Sequence, residues 1–208
     1  MDILILAALV AAGTYMIKAA QQGRRILLLA SHLGKYQIEK RMETLTQGYL
    51  RGLAEDDLVR RAQIWDLLAP TEAGLCSQFG TFAAEFSRVD PAKTRVSLLP
   101  VAVPFADQLF AQATFDLREA FAIHSRGIAS AVSNVAGRSA KDKAFTVTAE
   151  MLLMQHTCHW FCKSKNVASA RMLARHQTTH AQLVESVSPE TRSAYCILTR
   201  QMVVRQRR

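Results

Sequence analysis

From Ile3 to Ile17 the chain reads ILILAALVAAGTYMI, fifteen residues without one charged side chain, with Asp2 before them and Lys18, Arg24 and Arg25 after. A run like this can be covered in two ways: by the rest of the protein, or by lipid. Fifteen helical residues reach about 22 Å against a hydrocarbon core of about 30 Å, but Ala19 and Ala20 lengthen the apolar stretch and Lys18 can snorkel to the surface. The expectation is a single transmembrane helix. A cleaved secretory signal is the main competitor, but it opens with basic residues, whereas the only charge ahead of this run is Asp2. A buried core helix is the bland alternative. Positive residues stay on the cytoplasmic side, so the flanks place the N-terminus outside and everything after Lys18 in the cytosol. A cell membrane of the bacterial inner-membrane type is the expected location.

The remainder has enough apolar residues for a core, half of the 208 being hydrophobic. Cys76, Cys158, Cys162 and Cys196 show no framework of regular spacings and read as free thiols in a reducing compartment, in keeping with a cytosolic domain. The net charge of +9 is uneven: residues 1–150 carry 17 basic and 15 acidic side chains, residues 151–208 nine against two. The end, RQMVVRQRR, holds Arg200, Arg205, Arg207 and Arg208 without an acid, which suits an anionic lipid surface or simply a solvated tail. It lacks the interleaved aromatic residues that would favour a nucleic acid.

Past the first helix, apolar residues recur three and four apart in segment after segment, and no stretch sustains a period of two. The fold class is therefore all-α: a single transmembrane helix followed by a cytosolic bundle of about six helices. Residues 1–33 form the anchor with its juxtamembrane extension, interrupted at Gly34, and residues 34–208 the α-helical domain. Within it, helices are expected over Lys35 to about Ala54, from a cap at Asp56 or Asp57 to a stop before Pro70, and from Thr71 to about Asp90. An extended connection with prolines at 91, 100 and 104 crosses the surface at 90–104. Its apolar centre, Val96 to Ala106, is too short to span and is read as covering a groove, with a shallow membrane contact as the alternative. Thr114 opens the next helix, to near Gly137. Ser139 caps a long one to about Lys163, Asn166 caps another to about Val187, and Pro189 takes the first helical position of the last.

The stretch HTCHWFC, His156 to Cys162, raises the question of a metal. On the long helix Ala144, Val147, Met151, Met154, Cys158 and Phe161 form one apolar stripe, so Cys158 and Cys162 read as core, while His156 and His159 project elsewhere and the four groups do not converge. A metal would need the partner helix, where His176 and His180 stand one turn apart. A hairpin folded about residue 165 brings His176 level with Met154 and His180 level with Glu150, so Glu150, His176 and His180 would make a carboxylate and two-histidine set for zinc or another transition metal. His124, on an apolar stripe, reads as a hydrogen-bonded core histidine.

No glycine-rich phosphate loop, GxSxG elbow, CxxC pair or HExxH motif occurs. No catalytic residue and no cofactor is assigned, and an enzyme is the less favoured reading. The favoured function is a non-catalytic scaffold, adaptor or assembly role for a membrane-anchored helical protein, with a protein partner or self-association. The alternative is a helical metal- or small-ligand-binding enzyme or sensor built on Glu150, His176 and His180.

Overall fold

The computed structural model describes residues 2–201; Arg205, Arg207 and Arg208 of the basic tail lie outside the described residues. The first helix, α1, runs unbroken over Asp2–Leu33 and ends in a turn at Gly34. It is followed by α2 (Ile38–Ala54) and α3 (Leu58–Phe86), a connection with a short antiparallel ladder of β1 (Arg95–Ser97) and β2 (Thr114–Asp116), and the single turn α4 (Ala106–Leu109) between the two strands. Then come α5 (Leu117–Ser133), α6 (Ala140–Cys162), α7 (Lys165–His176), α8 (His180–Ser186) and α9 (Pro189–Leu198). The fold is all-α apart from that ladder.

The core sits where α3, α5 and α6 meet. Phe79, Phe82 and Phe86 of α3 surround Phe121 of α5, with ring centroids 6.1, 5.0 and 5.0 Å from it. All four are fully buried, as are Leu75, Ile128, Val147 and Met151. Each contributes about 1.5–3 kcal/mol through burial, and the edge-to-face ring pairs add to that. A second cluster, with Leu153, Met172, Leu183 and Tyr195, fills the space beneath α7, α8 and α9. The later turns of α1 join the main core through Leu29, which is buried. Arg25 donates to Phe161 O (3.4 Å) and Arg95 O (3.3 Å) and pairs with Asp107 (3.6 Å).

Three features depart from the sequence expectations. Pro70 does not end a helix: α3 passes through it. The ring removes one backbone donor from the Asp66 carbonyl, and the gap lies on the outer side of the bundle, where both residues are exposed. α2 acts as a splint along both sides of the gap. Gly48 and Gly52 let Leu68 and Trp65 approach before it. After it, Tyr49 Oη donates to Glu72 Oε1 at 2.6 Å, Glu72 Oε2 receives Lys143 Nζ from α6, and Gln78 takes the Gln37 amide at 2.9 Å. Continuous packing across the break outweighs a single missing hydrogen bond.

The second departure is the ladder. Thr114 lies in a strand, and Asp116 caps α5 by accepting from Arg118 N at 2.9 Å. Three pairs, Arg95–Asp116, Val96–Phe115 and Ser97–Thr114, are too few for a period of two to show in the sequence. They are fixed by distant groups: Trp160 Nε1 donates to Ser97 O at 2.9 Å and its ring meets Phe115 edge-on at 5.1 Å.

The third departure is at the end of the hairpin. Ser164, not Asn166, caps α7, and the helix expected to reach Val187 stops at His176. Gln177 is left-handed (φ 51°), and Thr179 starts α8 with a complete capping box to Gln182. The gain in satisfied backbone donors at Thr179 offsets the interruption.

Replacing Pro70 by Ala restores a donor to Asp66 O. The full chain in detergent should gain about 2 kcal/mol, the interior-proline cost less the lost stiffness of the unfolded chain. Chaotrope unfolding measures it, and a loss of stability would contradict a continuous α3.

Candidate functional site

α6 is the strut on which both candidate sites are built, and His156 to Cys162 take separate bearings around it. His156 Nε2 meets Ser169 Oγ of α7 at 3.1 Å. Thr157 faces α5 and α9, Cys158 and Cys162 face α1 and α2, and His159 Nδ1 lies 3.3 Å from an Arg171 nitrogen. Trp160 turns to the ladder, and Phe161 lies in the core under the Arg25 guanidinium, 5.5 Å from its ring. Residues 100° apart on a helix cannot converge without help from a neighbour.

One candidate is a buried polar seam. His124, His156, Thr157 and Glu150 are fully buried. Thr157 donates to Leu153 O at 2.9 Å, so its oxygen accepts from His124 Nε2, also 2.9 Å away, which assigns His124 the Nε2–H tautomer. The Tyr195 hydroxyl lies 3.4 Å from Thr157 Oγ1 and 3.5 Å from His180 Nε2. His180 stacks on His156 with centroids 4.2 Å apart. Neutral imidazoles stack; two cations there would repel without water to screen them. Burial pushes His124 down to about 3. Burial, reinforced by neighbouring cations, takes His156 to about 2 and His180 to about 4.

Glu150 lies at the other end of the seam. Its Oε1 accepts from Ser188 N at 3.1 Å and Ser188 Oγ at 2.6 Å, while Oε2 has no partner. Burial raises its pKa, against the lowering effect of the Ser188 bonds, and favours the neutral acid. Gly127 makes this possible, because a Cβ there would collide with the Glu150 carboxyl and Thr191 Oγ1.

The expected metal set is distributed differently. Glu150 is held by Ser188, His180 lies against His156 and Tyr195, and His176 closes α7, half-buried. The left-handed turn at Gln177 takes His176 and His180 off a common helix face. Among the described residues no group of three or more His, Cys, Asp or Glu is placed to hold a metal ion. Sequence reasoning identified His124 as a hydrogen-bonded core histidine. It missed Thr157, Ser169, Ser188 and Tyr195, whose partners lie 13 to 38 residues away and leave no local signal.

The second candidate is a groove of about 700 Å³ between the end of α1, the start of α2 and α6. Ile26, Leu29, Leu33, Met42 and Met154 line it together with Cys158 and Cys162, and Lys40, Lys163 and Arg171 stand around it. Burial raises the pKa of both thiols, so they are protonated parts of an apolar wall and not nucleophiles. Such a groove accepts an amphipathic helix by its apolar face.

Comparison with protein families, with curated proteins and with solved structures finds no match to the chain.

The three depressed histidines set a pH dependence. Their folded pKa values lie below the ordinary 6.5, so the stability they confer is complete above pH 6.5 and is lost as pH falls towards 4 and below; Glu150, raised, works in the opposite sense. Each such histidine steepens the acid-side loss by up to about 1.4 kcal/mol per pH unit. Chaotrope unfolding of His124→Gln from pH 7 to pH 5 should give an average slope shallower than that of the parent by about 1 kcal/mol per pH unit, since the unfolded histidine is only partly protonated over the first part of that range. An unchanged slope would mean that His124 is not held neutral.

Proposed function

We propose that this is a single-span membrane protein, with residues 1–33 as anchor and the rest as a cytosolic helical domain, serving as a non-catalytic scaffold or adaptor. One observation carries the reading. α1 contains a segment long and apolar enough to cross a membrane, Ile3–Leu33 with mean hydropathy 2.0, and its most apolar window is not buried by the protein at all. Ile3 and Leu4 are 83 % and 77 % exposed. Leaving such side chains in water forgoes about 1.5–3 kcal/mol each, and a bilayer removes that penalty. The cations that follow the uncharged run, with Lys18 and Arg24 outside the core, support an N-terminus on the outer side and the domain inside. The groove beside α6 supports the adaptor role, since it offers a protein partner an apolar seat with cationic surroundings.

Full-length protein should pellet with membranes, resist an alkaline carbonate wash and dissolve only with detergent. A cytosolic reporter fused at the C-terminus should be active. Leu9→Asp with Val10→Asp should release the chain to the supernatant, since each central charge opposes insertion by about 3 kcal/mol. A parent protein found in the supernatant without detergent, or a C-terminal reporter that is exported, overturns the reading.

A further inference from the structure

The connection between the two strands exposes more apolar surface than a bundle needs. Val101, Val103, Phe105, Leu109 and Phe110 are between 39 % and 68 % exposed. Single exposed hydrophobic residues are ordinary, but five within one ten-residue stretch form a patch that calls for a partner. The patch is held in place. Asn166 N donates to Pro100 O at 3.0 Å, and Leu98 N to Ala113 O at 2.8 Å.

Its position on α1 identifies the partner. Phe105 N donates to Gln21 Oε1 at 3.2 Å, Asp107 pairs with Arg25, and Val101, Ala102 and Val103 border the same small cavity as Lys18. The patch therefore stands beside the turns of α1 just past Ile17, where the uncharged run meets its first cation. At 1.5 Å per residue the stretch from Ile3 to Gln21 covers about 28 Å, close to the thickness of the hydrocarbon core, which sets Lys18 and Gln21 near the boundary between headgroups and acyl chains. Phe105 adds an independent sign. It holds a left-handed backbone (φ 56°), an unfavourable state for an aromatic residue, yet the residue remains 41 % exposed. The protein strains its backbone there without burying the residue. Arg24 and Lys93 line a hollow with Phe105, and neither forms an ion pair among the described residues, which suits anionic headgroups.

We propose that residues 101–110 are a second membrane contact, a foot whose apolar side chains enter the headgroup boundary of the bilayer that α1 crosses. The proposal rests on the reading of α1 as a span. Two contacts fix the tilt of the domain against the surface, which a single helix leaves unset.

The test places one added tryptophan at a time in the full-length chain, reconstituted in vesicles of phosphatidylcholine and phosphatidylglycerol with or without bromine on the upper acyl chain. The signal of the parent, from Trp65 and Trp160, is subtracted. Leu9→Trp reports on the span, Leu109→Trp on the foot, and Val135→Trp on a distant exposed site. Bromine should remove roughly half of the added fluorescence at 9 and at 109, given an insertion depth of about 5–10 Å for the foot, and leave 135 bright. Quenching at 9 but not at 109 overturns the foot and leaves the span standing. No quenching at 9 or 109 overturns both. Quenching at 109 but not at 9 removes the span and with it the foot as a second contact, leaving a surface contact of another kind. Quenching at 135 equal to that at 109 also overturns the foot, because the patch would then hold no special place at the membrane.

Discussion

The constraint on which the rest of the structure depends is that one helix, α1, stands bare along its first part and is built into the bundle along its second. From Ile3 to Ile17 it carries no charge, and none of its most apolar window is buried by the described residues. Its second half is bonded into the bundle through Gln21, Gln22, Arg25 and Leu29. The change occurs within about two turns, and no proline interrupts it. Arg25 is the pivot: one guanidinium reaches the carbonyls of Phe161 on α6 and Arg95 on β1 and the carboxylate of Asp107 on α4. Helix, ladder and long strut are thus tied at one point just past the uncharged run.

The polar interior around α6 has a different logic. His124, His156, Glu150 and Thr157 are fully buried, and none of them takes part in an ion pair among the described residues. They are tolerated because burial keeps the histidines uncharged and favours the protonated form of Glu150, and because hydroxyl groups, which both donate and accept, link them. Three atoms of this seam, His124 Nδ1, His156 Nδ1 and Glu150 Oε2, have no hydrogen-bond partner among the described residues. Two of them are ring nitrogens of neutral imidazoles, less costly to leave unpaired than a charge.

Much of the fold was legible because helix punctuation is local. Gly34, Asp57, Ser139 and Pro189 each act within four residues, and each marks the boundary that its chemistry demands. What was illegible depends on distant partners. The continuity of α3 through Pro70 needs α2 alongside it, the ladder needs Trp160 from 63 residues away, and the break at Gln177 pits one capping box against a favourable helical run. The candidate metal set rested on an unbroken helix and a hairpin folded about residue 165. The turn instead falls at Lys163 and Ser164, and Gln177 then sends His180 towards His156. The groove was partly legible: Cys158 and Cys162 read as an apolar face, but nothing local shows that α1 and α2 stop short of covering it.

The groove shares a wall with the rod. Ile26, Leu29 and Leu33 form one side of it and belong to the same unhinged helix as Ile3 and Leu9, while Met154 and Cys158 on the opposite side belong to α6. The exposed arm and the wall of this cleft are thus one continuous helix, and Arg25 fastens it to α6, β1 and α4 between the two.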